Sequence, residues 1–143
     1  MKLNLKSILP IFFLLFSFAE ANDDFFDTAK ALFEKEKYEE SKFLFQRNIV
    51  YNPKNAASYL YLAKIFNLEE NKIEQEKNIN TTLLLDPKNE EAMYILIDIE
   101  LKRSNFSKAE ELKKDFKIIC STMCKKLTSI NSRLKEFENK DAS

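Results

Sequence analysis

The sequence contains no glycine, no histidine and no tryptophan. At an average usage of roughly 7%, glycine alone would supply about ten residues in a chain of this length. Without it there is no Gly-rich phosphate loop, no GxGxxG dinucleotide turn and no GxSxG nucleophile elbow. Without histidine there is no Ser-His-Asp or Cys-His catalysis and no His-ligated metal. One-signed charge is missing as well: Lys+Arg and Asp+Glu both number 23, so no strong net field draws the chain to nucleic acid. What is abundant is Lys, Asn, Ile and Phe together, a skew that fits an AT-rich genome and removes weight from any single lysine or asparagine.

The stretch before Asn22 reads as a separate segment, 1–21. Lys2 and Lys6 precede an apolar run from Ile8 to Phe18, and Ala19-Glu20-Ala21 has the A-x-A form of a cleavage site. That order is the secretory signal-peptide pattern. An uncleaved anchor and a buried N-terminal helix are the competing readings, but a membrane-spanning helix needs about 20 apolar residues. A lipoprotein signal would need cysteine after the cleavage site, where Asn22 stands. The chain from Asn22 loses only Lys2, Lys6 and Glu20 among its charges and stays close to neutral. It is expected outside the cytoplasm, in a bacterial periplasm, as one domain with no membrane span.

Pro53 and Pro87 each close a similar phrase: Tyr51-Asn52-Pro53-Lys54-Asn55 and Leu85-Asp86-Pro87-Lys88-Asn89. Laid over one another without a gap, 22–55 and 56–89 pair Phe25 with Tyr59, Ala29 with Ala63, Leu32 with Phe66, Phe45 with Ile79 and Ile49 with Leu83. Within each unit the apolar residues step by three and four, the period of one helical face. The spacing predicts helices over 23–35 and 38–51, 56–69 and 72–85, 90–103 and 106–119. Tyr38, Ser41, Phe45, Ile49 and Tyr51 are the expected buried residues of the second helix. Each pair is joined by a turn too short for anything but antiparallel neighbours. The turns Glu36-Lys37, Glu70-Asn71 and Ser104-Asn105 lack glycine, and asparagine is the residue best able to replace it where φ must be positive. Beyond Ser121, Met123, Leu127, Ile130, Leu134 and Phe137 mark one more amphipathic helix over 122–138, followed by a disordered tail at 139–143. A bend near Cys120 to Thr122 is favoured over a straight continuation of the preceding helix.

This pattern resembles the tetratricopeptide repeat family, which shares its period and whose signature alternates large and small residues over two helices. Phe25, Thr28, Ala29, Leu32, Ser41, Phe45 and Pro53 fill the signature positions 4, 7, 8, 11, 20, 24 and 32 of the first repeat. Tyr59, Leu62, Ala63, Phe66, Gln75, Ile79 and Pro87 fill them in the second. The third, over 90–121, is atypical: Glu100, Lys113 and Ser121 occupy positions 11, 24 and 32. The resemblance implies an all-α, right-handed solenoid of three helix-turn-helix repeats plus a C-terminal cap, which a solenoid needs over its exposed last repeat. A generic helical bundle is the bland alternative.

The same resemblance implies a concave groove lined by first-helix positions 2, 5, 9, 12 and 13. Phe26, Lys30, Phe33, Leu60, Lys64, Tyr94 and Asp98 are the candidate binding residues there, with Phe26, Leu60 and Tyr94 as an apolar ladder. Asp23, Asn67 and Leu68 fall in the same lining set. The Lys and Asn of chaperone-binding members, at positions 5 and 9 of the first repeat, are replaced by Phe26 and Lys30, so that carboxylate clamp is not expected. The groove suits an amphipathic helix or extended peptide. The competing reading is an occluded groove, with the chain a structural subunit of an envelope complex or homo-oligomer.

Little else carries chemistry. Cys120 and Cys124 are the only cysteines. At a helix corner they would form a structural disulfide; two buried free thiols and a redox or metal role are the other readings. Acidic pairs such as Glu90/Glu91 and Glu110/Glu111 sit at helix starts, where solvated charge beside the helix dipole is the ordinary explanation. No enzyme activity, cofactor, metal or nucleic-acid partner is expected. The expected partner is a protein or peptide.

Overall fold

The computed structural model describes residues 25–141, with side chains to residue 136. The expected signal segment 1–21, the groove candidate Asp23 and the end of the chain after Asp141 lie outside that span. Seven helices are described: α1 Phe25–Glu34, α2 Tyr38–Tyr51, α3 Ala56–Leu68, α4 Lys72–Leu85, α5 Glu90–Lys102, α6 Phe106–Ile119 and α7 Lys126–Asp141. Among the described residues there is no strand. The tightest packing is within the pairs α1–α2, α3–α4 and α5–α6, and α2 meets α3 as α4 meets α5. The architecture is an all-α solenoid of helix pairs.

Helix starts and stops follow from particular residues. Asn55, Asn71 and Asn89 cap α3, α4 and α5, their side chains accepting from the N–H groups of Ser58, Glu74 and Ala92. Each cap satisfies a donor that the first helical turn leaves without a partner. The turns inside the pairs repeat one geometry. Lys37 N–H donates to Leu32 O and Glu36 N–H to Phe33 O; Asn71 with Phe66 and Glu70 with Asn67 do the same, as do Asn105 with Glu100 and Ser104 with Leu101. This is the Schellman closure, which requires a left-handed residue at the position before the last donor.

Glycine is the usual occupant, and here Glu36, Glu70 and Ser104 take φ of 59°, 59° and 61°. Asparagine therefore does not stand in for glycine as the sequence suggests, because Asn71 is already used as a helix cap. An L-residue in this conformation costs about 1–2 kcal/mol, partly offset because glycine has more freedom to lose on folding. Glycine at position 36, 70 or 104 is therefore expected to stabilise the fold by about 0.5–1 kcal/mol per site. A rise in the urea midpoint at unchanged slope would register it. A lowered midpoint would show that these side chains make stabilising contacts the backbone argument omits.

Two hydrophobic clusters fill the solenoid, and α3 contributes to both. One gathers Ala29, Phe45, Leu62 and Ile65, with Phe26, Phe33, Tyr38 and Tyr61 packed against it. The other runs from Leu60, Ala63 and Ile79 through Ile97 and Phe116 to Ile130 and Leu134 of α7. Ala29 and Ala63 are fully or almost fully buried, where their small side chains let paired helices approach closely, and Ile97 is buried at the same place in the third pair. Buried polar groups are matched: Ser41 Oγ donates to Ala29 O at 2.8 Å and Asn48 Nδ2 to Ser58 Oγ at 2.8 Å. Tyr51, expected in the core, is instead 69% exposed and stacks on Phe25 at the solvent edge.

Successive repeats are also joined by an ion pair at one register, with its polarity reversed. Lys42 of α2 reaches Glu69 at 2.5 Å, and Glu76 of α4 takes a two-pronged contact from Arg103. The hydrogen bond from Lys42 to Glu69 raises the lysine pKa, and the Arg103 pKa is likewise raised by Glu76. Surface pairs of this kind contribute about 0–1 kcal/mol, so their effect is on register more than on stability.

Repeat three departs from the signature at three positions, and each departure has its own partner. Buried Glu100 accepts from Asn105 Nδ2 at 2.8 Å, and Lys113 pairs with Glu110 at 2.6 Å. Ser121, in place of proline, donates to Glu90. The cap starts at Lys126 rather than at the expected 122, because residues 120–125 form a corner closed by a Cys120–Cys124 disulfide with Cα atoms 5.2 Å apart. It also continues to Asp141, so residues 139–141, expected in a disordered tail, belong to the helix.

Candidate functional site

The first helices α1, α3 and α5, with Tyr38 of α2 and Gln75 of α4, surround a cleft of about 420 Å³. Phe33 and Tyr38 form one wall; Lys64, Asn67 and Leu68 of α3 form the floor; Glu91, Tyr94, Ile95, Asp98 and Lys102 of α5 form the other wall. Six of the expected groove residues therefore meet there: Phe33, Lys64, Asn67, Leu68, Tyr94 and Asp98. Lys30 is exposed on α1 outside the cleft lining. Phe26 is half-buried, edge-on to Phe45 at 5.7 Å and to Tyr61 at 6.0 Å. Leu60 does not line the groove. It is only 7% exposed and belongs to the core cluster, so the apolar ladder is broken at its middle rung. Its neighbour Tyr61 packs against the first core cluster and meets the Phe33 ring from behind the cleft wall at 5.1 Å, without lining the cleft itself.

The charges of the cleft are organised as pairs. Lys64 Nζ is 2.7 Å from Glu91 and lies 4.7 Å from the centre of the Tyr61 ring. Asp98 is held from two sides, by Lys102 at 2.6 Å and by Arg133 of α7 at 2.7 Å. Burial pushes the Asp98 carboxyl up, but hydrogen bonds from Lys102 and Arg133 outweigh it and keep the pKa below its ordinary value. Lys126, also on α7, stands 5.0 Å over the Tyr94 ring. The cap thus engages two cleft residues of α5, Asp98 and Tyr94, without lining the cleft itself. Cation–π contacts of this sort favour aromatic walls edged by lysine.

Residues that the sequence reading missed cluster in that cap. Leu127, Ile130 and Leu134 fall one full repeat period after Met93, Leu96 and Glu100, so α7 has the sequence register of the first helix of a fourth repeat and packs on α5 and α6. The signal for Arg133 and Lys126 was therefore present, as a continuation of the period. Glu90, read as solvated charge, is instead the anchor of the corner: Ser121, Thr122 and Met123 donate to its carboxylate from three backbone N–H groups and two hydroxyls. The Ser121 hydroxyl is the main cause, opposed by desolvation and aided by the backbone donors, that holds Glu90 down at about 2. Among the described residues no cluster of three or more acidic or sulfur side chains is placed to hold a metal ion, and no helix is long and apolar enough to cross a membrane.

No family model matches the sequence, and no curated protein matches it. Solved structures do. The type III secretion translocator chaperone SycD of Yersinia enterocolitica superposes with a TM-score of 0.70 at 14% identity, over 85% of this chain and 86% of that one. SycD in complex with a peptide of the translocator YopD gives 0.69 at 15%, over 83% and 93%. The second tetratricopeptide domain of human RPAP3, in complex with an HSP70 peptide, gives 0.61 at 18%, over 75% and 92%. The likeness is one of fold, and the chain has the fold of tetratricopeptide-repeat domains.

Proposed function

We propose that this chain is a protein-interaction adaptor that takes a peptide or amphipathic helix of another protein into the cleft between α1, α3 and α5, and that it works outside the cytoplasm. It performs no reaction itself. The observation that carries the reading is the cleft, where Phe33, Tyr38, Leu68, Tyr94 and Ile95 offer apolar and aromatic surface beside paired charges. Side chains of this kind dominate peptide anchoring, with the charges setting orientation. Leu68, 53% exposed at the floor, is a large apolar residue open to solvent. That SycD and RPAP3 domains of the same fold are seen with peptides supports the reading. The order of Lys2, Lys6, the apolar run and Ala19-Glu20-Ala21 supports the compartment.

One observation favours the second reading, a structural subunit with an occluded groove: Arg133 and Lys126 of α7 already occupy Asp98 and Tyr94. A photo-crosslinking phenylalanine analogue at Leu68, in the native envelope, separates the two. Adducts to a segment of another protein are expected at Leu68 and not at Ile73, exposed on α4. Tyr94→Ala is expected to weaken that capture roughly tenfold or more. Adducts that are unchanged in Tyr94→Ala, or that join only copies of this chain, would set the peptide reading aside.

A further inference from the structure

The second helices carry an apolar row that neither core cluster nor cleft uses. Val50, Leu84 and Ile118 recur at the repeat period, at one register of α2, α4 and α6, and are 77%, 80% and 81% exposed. Large aliphatic residues scattered singly on a surface need no explanation, but three at one register in three consecutive repeats form a row. Each stands one residue before the C-terminal end of its helix. The row is a comb of three teeth, one on each second helix.

The charge near the comb along the chain is mostly basic although the whole chain is neutral. Lys54 and Lys88 follow Val50 and Leu84 at the same distance along the chain, and Lys114 and Lys117 precede Ile118 by four residues and one. Among the described residues none of these four lysines forms an ion pair, whereas lysines elsewhere on the same helices, Lys42, Lys77 and Lys113, are each paired with a glutamate. Arg47, one turn before Val50, lies over the Phe25 ring. Against these cations stand Asp115 and Asp86, the latter accepting from Asn89 Nδ2 and Lys88 N–H.

We infer that this edge docks peripherally on an anionic lipid surface, the aliphatic teeth entering the interface and the lysines meeting phosphate headgroups. Unpaired cations beside apolar residues are the complement of such a surface, where each Lys or Arg adds to the attraction. A protein partner would need a surface notched at three fixed places, whereas lipid has no fixed shape and admits separated side chains individually. The docking edge lies on second helices and leaves the first-helix cleft unused, so the inference stands apart from the proposed function.

The test is co-sedimentation of the chain from Asn22 onward with vesicles of phosphatidylglycerol and phosphatidylcholine, against pure phosphatidylcholine. The described members of both core clusters all lie after Asn22, so this form retains them. Binding is expected to the anionic vesicles only and to fall with added salt. The double variant Leu84→Asp, Ile118→Asp and the charge variant Lys54→Glu, Lys88→Glu are each expected to weaken it roughly tenfold or more. The altered side chains are solvent-exposed, and far-ultraviolet dichroism confirms that each variant is folded. Absence of binding to anionic vesicles, equal binding to both vesicle types, or binding that neither variant weakens would overturn the inference. So would a concentration-dependent dimer that the Leu84→Asp, Ile118→Asp variant abolishes, since the row would then belong to a second copy.

Discussion

Phe45→Ala is expected to cost about 3–5 kcal/mol, the range for removing a buried aromatic side chain from a packed core. Phe45 is fully buried; its ring stacks on Tyr61 at 4.9 Å and takes the edge of Phe26 at 5.7 Å. It links α2 to α1 within the first pair and to α3 in the next, so alanine leaves a cavity shared by three helices. The surrounding cluster has few other fully buried members, Ala29 and Ile65 among them, and cannot close around the gap. A domain of this size holds about 5–15 kcal/mol in total, so the loss is a large share of it. Solenoid stability is a sum of local and nearest-neighbour terms, and the damage should therefore concentrate at one end. Hydrogen exchange is expected to accelerate most in α1 and α2, with α5 and α6 still protected, and thermal unfolding to lose its single transition. Phe45→Leu should recover most of the loss, because it refills much of the volume. A Phe45→Ala midpoint within the error of the parent would mean that the aromatic cluster is not what holds the first repeat.

The repeat architecture was legible because its signals are redundant. Pro53 and Pro87, the Ala29/Ala63 pair and the three-and-four stepping each point to the same period, and helices α2, α4 and α6 have the expected bounds. Which face of a first helix looks into the cleft was harder. In α3, Leu60, Tyr61, Leu62, Ile65 and Phe66 are apolar nearly all round, so periodicity gives no contrast between groove and core. One residue is about 100° of rotation, enough to bury Leu60 and turn Tyr61 toward Phe33. The turns themselves were legible, but not which residue of each takes the positive φ. That position is set by the Schellman hydrogen bonds that close each helix end, and Glu36 and Glu70 have no side-chain preference that announces it. Glu90 was invisible because its partners, Ser121 to Met123, lie almost a whole repeat further along the chain. Nothing in a Glu-Glu pair at a helix start distinguishes an anchor from solvated charge.

Glu90→Gln is expected to loosen the corner at residues 120–125 and with it the docking of α7. Gln keeps the shape but replaces a charged acceptor with one oxygen and an NH2 group that faces donors already present: the N–H groups of Ser121, Thr122 and Met123 and the hydroxyl of Ser121, the last at 2.6 Å. Hydrogen bonds to a charged acceptor are shorter and stronger than neutral ones, and none of these donors has a second acceptor of that kind here. The pH dependence follows from the direction of the shift. The Glu90 pKa falls from 4.5 to about 2 on folding, so the unfolded chain binds its proton first. The contribution is complete above about pH 4.5, declines as the pH drops, and is gone once the pH has passed below about 2. The parent should therefore be more stable than Glu90→Gln at neutral pH, and the difference should shrink across that window. Asp98 also sits below its ordinary pKa through Lys102 and Arg133, but it titrates in both proteins, so the comparison isolates Glu90. Exchange protection in α7, read at the buried Ile130 and Leu134, is the local measure. Protection lost in the variant at neutral pH, with the Cys120–Cys124 bond intact, would place the docking of the cap on the carboxylate. Equal protection in both proteins at neutral pH would place it on the disulfide and the apolar contacts of Ile130 and Leu134 alone. Because α7 also carries Arg133 and Lys126 to Asp98 and Tyr94, a loosened corner is expected to change peptide capture at the cleft without any change in the residues that line its floor.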